Sequence, residues 1–436
     1  MPDLRTDYVA HDPEDSVHAV NSITLEVNSL RARVAELELL GGGGGGGGGG
    51  FSNALIVASS QASAADKARA HYVCDGAADE VEIIAAIKKA SVLAANAKTG
   101  NTGASGDLSS HSDATGTQCG KVILTGGNFF IGSGVLMRTG VWVQGSGFLT
   151  SLWAKANTGT GVFRLDPQAG LAGDGSAAHL TYVSNLWVYG NFGSGGTCSA
   201  FNYNMSNSGD APYKTSGYPD INPDAYHYIV DVLITGFAGA NRDGVNLNSS
   251  GTANHRANIL RGLQIRDCGR DGISFSAASD SFISECHVGG SGRYNYNIAT
   301  GNTKITACKS FYSGTAGFYF GSGRGTVTGL EAQDDKIGFF FDGTPYAATG
   351  LTGDSCETNF KIDTDRLVMT SFSGFNRGGA RFPTTITSLL FDATYADMMI
   401  LGQVDDANTT TKISGTVGSR SFMRVSDGTA LVAVGA

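Results

Sequence analysis

The sequence is short of charge, with 16% Asp, Glu, Lys and Arg, and it has no concentrated basic segment. With a net charge of −9, that argues against nucleic-acid binding, which needs a basic surface to neutralise phosphates. No apolar run is long enough to cross a bilayer, so no membrane insertion is expected. The first residues, with Asp3, Arg5, Asp7 and Asp12, lack the apolar core of a signal peptide, and a soluble product made in the cytoplasm is the expectation. Seven cysteines (Cys74, Cys119, Cys198, Cys268, Cys286, Cys308 and Cys356) are odd in number and lack C-x-x-C spacing. They read as reduced packing residues, with no metal site and no cofactor expected.

What the chain does have is glycine, 63 residues of it, among Ser, Thr, Asn and small apolar side chains. That mixture suits short strands joined by tight turns. At 436 residues the chain is too long for one ordinary core, so it must hold several domains or a repeat that grows in one direction.

Three segments follow one another. Val20, Ile23, Val27, Leu30, Val34 and Leu37 alternate steps of three and four, the seam of a short coiled coil. In a parallel assembly Glu26 would pair with Arg31, and Arg33 with Glu38, across chains. Arg33-Val34-Ala35-Glu36-Leu37-Glu38 also resembles a trimerisation signature, so residues 1–40 are expected to anchor and trimerise. Residues 41–50 are ten glycines, a linker spanning about 17 Å on average. Residues 51–385 form the body, opening with a helix in 64–95 whose apolar residues are Val81, Ile84, Ala85, Ile87 and Ala90. A polar loop is expected over 98–120, and a small β-rich cap over 386–436.

The body repeats. Ile273, Tyr296, Phe318, Phe339 and Phe360 are separated by 23, 22, 21 and 21 residues. Leu263, Cys286, Cys308, Leu330, Leu351 and Phe372 keep the same time. A unit near 22 residues, built from short alternations, is one coil of a parallel β-solenoid and too short for a helical hairpin. Stacked at about 4.8 Å, roughly a dozen coils make a rod of about 55–60 Å whose first coil needs the helix as a cap.

The acidic Asp75-Gly76 stretch, short helix, polar loop and then Lys121-Val122-Ile123-Leu124-Thr125-Gly126-Gly127-Asn128-Phe129-Phe130-Ile131 and Val141-Trp142-Val143-Gln144-Gly145-Ser146-Gly147 resemble the opening of pectate-lyase-like right-handed parallel β-helix proteins. That superfamily includes bacteriophage tailspikes. The resemblance covers about 70–380, and Thr125 stands where the family usually has Pro. It implies an all-β protein of the virion tail: a tailspike, tail fibre or minor tail protein contacting other tail or baseplate proteins through its N-terminus and host surface polysaccharide through its body. The competing readings are a secreted polysaccharide lyase or glycoside hydrolase, and a purely structural tail component.

Glycan contact needs aromatic platforms beside hydrogen-bonding groups. Val141 and Val143 point inward and Trp142 outward; Leu186 and Val188 do the same for Trp187, with Tyr189 beside it. The excursion 190–228 supplies Tyr203, Tyr213, Tyr218, Tyr226, His227 and Tyr228, as a binding wall or as packing. Arg270 and Arg293 are further glycan candidates. Catalytic candidates are Asp243 and Asp271, which fall at equal phase, and the adjacent Asp334 and Asp335. For the first two, an Asp-Gly turn neutralised by Arg is the competing account. The Gly-His-Gly and Arg-Ile-Lys signatures of polygalacturonases are missing, so no catalytic residue is carried over from the resemblance.

Overall fold

The computed structural model describes residues 54–98, 120–138, 140–155, 161–165, 180–190, 198–205, 226–249, 255–343, 346–404, 408–426 and 431–435. The coiled-coil seam and the decaglycine lie outside these residues. So do residues 99–119, most of the expected polar loop.

The body is a parallel β-helix, its strands pairing in parallel from each coil to the next. Each coil places one strand on each of three faces: Val141–Gln144, Thr150–Ala154 and Gly161–Leu165 are one such set. The first two faces form a 20-stranded sheet, and the third an 11-stranded sheet running from Val135–Met137 to Thr409–Ser414.

The corner between the first and second faces is made by residues in the left-handed region. Asn185, Asp231, Gly262, Glu285, Ala307, Gly329, Gly350 and Ser371 all have φ between 51° and 65°. Non-glycine residues there cost about 1 kcal/mol each. The cost is offset because corner amides also bond to the next coil, as Glu285 N does to Thr306 O at 3.2 Å and Ala307 N to Thr328 O at 3.1 Å.

Inside, side chains one coil apart lie over one another, as the 22-residue rhythm requires. Ile273 pairs with Tyr296, Tyr296 with Phe318, Phe318 with Phe339 and Phe339 with Phe360. Their rings stack at 4.4, 5.1 and 5.1 Å. Leu263, Cys286, Cys308, Leu330, Leu351 and Phe372 are all buried in a second column. All cysteines among the described residues are buried and unbridged.

The N-terminal cap departs from the expected single helix. A short helix, Ala64–Arg69, precedes the capping helix Glu80–Lys98. The buried face of the latter is Ile83, Ala86, Ile87 and Ala90, whereas Val81 is 60% exposed. Its phase is set by anchors. Asp79 accepts from Gly76 N and Phe130 N, both at 2.7 Å, and Glu80 accepts from Gly132 N at 2.9 Å and Ser133 N at 3.0 Å. The helix then lies so close to Gly120 that a Cβ there would meet the Ala90 carbonyl oxygen at 2.3 Å.

The boundary expected at 386 is also corrected. Thr385–Phe391 pairs in parallel with Thr358–Ile362, Met399–Val404 with Val368–Phe375, and Phe422–Ser426 with Met399–Val404. The solenoid therefore continues to Ser426, and only Leu431–Gly435 differs, pairing antiparallel with Phe422–Ser426. The rhythm breaks near 386 because the turn before Thr385 is longer, which delays the next rung without changing its register.

Candidate functional site

The outward residues of the first two faces carry all three tryptophans. On the second face, Leu152 and Ala154 point into the core, which turns Trp153 outward; Leu186 and Val188 do the same for Trp187, with Tyr189 next along the strand. In register, Ser151 faces Trp187 and Trp153 faces Tyr189. Trp153 sits 4.5 Å from Tyr189, 6.3 Å from Trp187 and 6.4 Å from Phe130, and Trp187 lies 5.6 Å from Tyr189. All three indole N–H groups are occupied: Trp142 donates to Ser184 Oγ, Trp153 to Ser151 Oγ and Trp187 to Thr235 Oγ1. These anchors fix the rings and leave their faces for contact.

Across the left-handed corner, on the first face, Trp142 packs 4.6 Å from Tyr182, which stacks on Tyr228 at 5.6 Å. Lys121 Nζ lies 4.3 Å from the centre of the Trp142 ring. The tryptophans are half-buried, because each ring is covered on one side by its neighbour. Sequence reasoning missed Trp153 and Tyr182, although the alternation in Leu152-Trp153-Ala154 carries the same signal as that around Trp187.

The excursion 190–228 is not one wall. Ser199–Met205 is a third-face strand that turns Phe201 and Tyr203 inward, and Tyr203 packs edge-on against buried His227 at 4.7 Å. Tyr203 and His227 therefore belong to the core. Tyr213 and Tyr218 lie outside the described residues; Tyr226 opens the strand Tyr226–Thr235, and its side chain lies outside them too.

Asp243, Asp271, Arg270 and Arg293 form an alternating ladder. Arg270 Nε donates to Asp243 Oδ1 at 2.8 Å and its Nη2 to Oδ2; Arg293 grips Asp271 in the same bidentate way. Asp243 also accepts Asp271 N at 3.0 Å, and Asp271 accepts Asn297 Nδ2 at 2.9 Å. Burial pushes the Asp243 carboxyl above its ordinary value against the pull of Arg270. Both carboxylates have almost no exposed surface. The ladder satisfies them fully, leaving neither in contact with solvent for proton transfer.

Asp334 and Asp335 point to different places. Asp334 sits at the corner between the second and third faces with φ 53°, accepting Arg381 N at 3.2 Å. Asp335 turns into the core, where it accepts Ser310 Oγ and Ser313 N, both at 2.7 Å. It fits because residue 317 is glycine; a Cβ there would lie 2.4 Å from Asp335 Oδ2. Burial pushes the Asp335 carboxyl up to about 7, the hydrogen bonds only partly opposing it.

Among the described residues one group has metal-like proximity: donor atoms of Cys74, Asp79 and Glu82 lie within 4.8 Å of one another. Both Asp79 oxygens already take backbone N–H groups, and burial pushes the Cys74 thiol far up, keeping it protonated. Asp79 is thus already committed to the cap's hydrogen bonding and Cys74 is held as a thiol, which suits the pair poorly to an ion.

No protein-family model and no curated protein matches the chain. Solved structures do. The mannuronan C-5 epimerase AlgE4 A-module of Azotobacter vinelandii is 14% identical, covering 81% of this chain and 93% of its own, with a TM-score of 0.40. The tailspike protein 2 enzymatically active domain of bacteriophage CBA120 is 14% identical over 67% of this chain and 47% of its own, with a TM-score of 0.49. The endo-xylogalacturonan hydrolase of Aspergillus tubingensis is 11% identical over 69% and 92%, with a TM-score of 0.41.

Proposed function

We propose that this chain is a bacteriophage tail protein, of tailspike, tail-fibre or minor tail type, that presents its second face to host cell-surface glycan. It assembles as a homotrimer through the heptads of residues 20–37, docks on other tail or baseplate proteins through its N-terminus, and acts on the virion.

The observation that supports this is the outward cluster of Trp153, Trp187 and Tyr189, in which both indole N–H groups are tied down by hydroxyls of the same face. Sugar rings stack their C–H faces on such surfaces and exchange hydroxyl hydrogen bonds with neighbouring polar groups. Those groups exist along the same face: Trp187 pairs with Leu233, Leu233 with Gln264, Gln264 with His287 and His287 with Lys309. The reading is recognition rather than cleavage at Asp243, Asp271, Asp334 and Asp335, since each is already committed to holding coils together.

The test is binding of the purified full chain to host cells and to a glycan array, comparing Trp153→Ala with the parent. Loss of binding with unchanged melting supports the reading; undiminished binding sinks it. Product analysis on bound glycans decides the depolymerase variant, in which reducing ends or unsaturated sugars would appear.

A further inference from the structure

The first face carries an apolar line that the glycan reading does not use. One outward column runs through the register pairs Ile259–Phe282, Phe282–Lys304, Lys304–Thr326, Thr326–Ala347, Ala347–Val368, Val368–Met399 and Met399–Phe422. Within it Phe282 is 46% exposed, Val368 38%, Met399 38% and Phe422 48%. These are four of the nine exposed large apolar side chains among the described residues. Chance would scatter them over three faces and the turns; here they stand in one line parallel to the rod.

The column beside it is flat and uncharged over most of its length, with Thr306, Thr328, Thr349 and Thr370 in consecutive coils. In a chain of net charge −9, it is a surface on which two like molecules meet without strong repulsion.

We infer that the first face is where a second copy of this chain packs, with the two rods side by side and parallel. The inference rests on the self-association part of the reading above and adds its location. The chain outside the described residues points to this occupant. It enters the solenoid on the first face, at Ala54–Ala58, paired with Gly120–Leu124. The heptads expected from the sequence end at Leu37, with sixteen residues between it and Ala54, and would hold neighbouring copies together there. Copies joined there can turn their first faces toward a shared axis.

The apolar line spans seven register steps. At about 4.8 Å each by about 13 Å of strand it offers roughly 440 Å² per copy, about half the ~800 Å² per partner of a stable interface, so this contact adds to self-association through the heptads rather than replacing it.

Residues near a rotation axis meet their own counterparts, which gives a direct test. In a full-length Cys119→Ser background, Ala347→Cys on the exposed first face is compared with Ile386→Cys, which is 53% exposed on the third face. Mild oxidation is expected to give disulfide-linked dimers from Ala347→Cys and not from Ile386→Cys. Linkage through Ile386→Cys instead, in an assembled particle, overturns the face while sparing self-association. A chain that sediments as a monomer at every concentration overturns both. Val368→Glu with Phe422→Glu keeps the circular-dichroism spectrum and raises the dissociation concentration at least tenfold; an unchanged value counts against the interface.

Discussion

The early coils, from Gly120 to Thr235, and the later ones, from Ile259 to Phe375, share one interior and differ outside. Inside, both stack apolar columns in unbroken parallel register, Phe163 on Phe201 in the early part at 4.9 Å and Phe339 on Phe360 in the later at 5.1 Å. Outside, the early coils carry Trp142, Trp153, Trp187 and their tyrosine neighbours, while the later coils carry threonine rows. Corner positions make the contrast quantitative: Asn185, Asp231 and Gly262 are 46 and 31 residues apart, whereas Gly262, Glu285, Ala307, Gly329 and Gly350 follow at 23, 22, 22 and 21. Regular spacing marks coils of constant length, and irregular spacing marks where longer segments have been inserted between rungs.

The strongest test of that division is in the regular half. Phe339→Ala removes a fully buried ring from a stack and should cost about 3–5 kcal/mol, read as a large drop in melting temperature. The same measurement on Trp187→Ala should move much less, since that ring is half-exposed; equal losses would erase the contrast.

Next comes the ladder. Arg293→Ala strands the buried Asp271 carboxylate and is expected to cost about 3 kcal/mol, recovered in part by adding Asp271→Asn. If the single change is silent in denaturant melts, the ladder is ornamental.

A pH effect follows from Asp335. Its folded-state value is raised to about 7, so the native chain keeps a proton that the unfolded chain releases near 4. Stability from this group is full below pH ~4 and is lost as pH rises to ~7, by on the order of a few kcal/mol. Asp335→Asn should flatten that slope and melt higher than the parent at pH 8; a parallel slope in both proteins refutes the assignment.

The smallest effect belongs to the early coils. Trp187→Ala should weaken glycan binding about tenfold, or about 1.4 kcal/mol, as titration calorimetry would show.

Much of this was legible in the sequence, and the reasons it stopped are physical. The inner columns could be read because core positions are chemically restricted and recur at constant length, as from Ile273 to Phe360. The left-handed corners could not, because Asn, Asp, Gly, Glu, Ala and Ser all serve there once the neighbouring coil supplies a bond. The capping helix was placed near its true position but turned wrongly on its axis. Its buried face depends on Asp79 and Glu80 gripping residues about 50 positions away. Trp153 was visible and overlooked; Tyr203 was misread because an inward strand was hidden inside an excursion. Asp243 and Asp271 were rightly placed at one phase, and the Arg-neutralised turn weighed against catalysis is the arrangement found, with Arg270 and Arg293 as the partners.

The reversed strand Leu431–Gly435 has a further consequence. Every earlier rung offers the next one a parallel template, so a bare end would recruit another molecule's strand and grow without limit. Turning the chain back on itself presents an edge of the opposite polarity, and the helix blocks the other end.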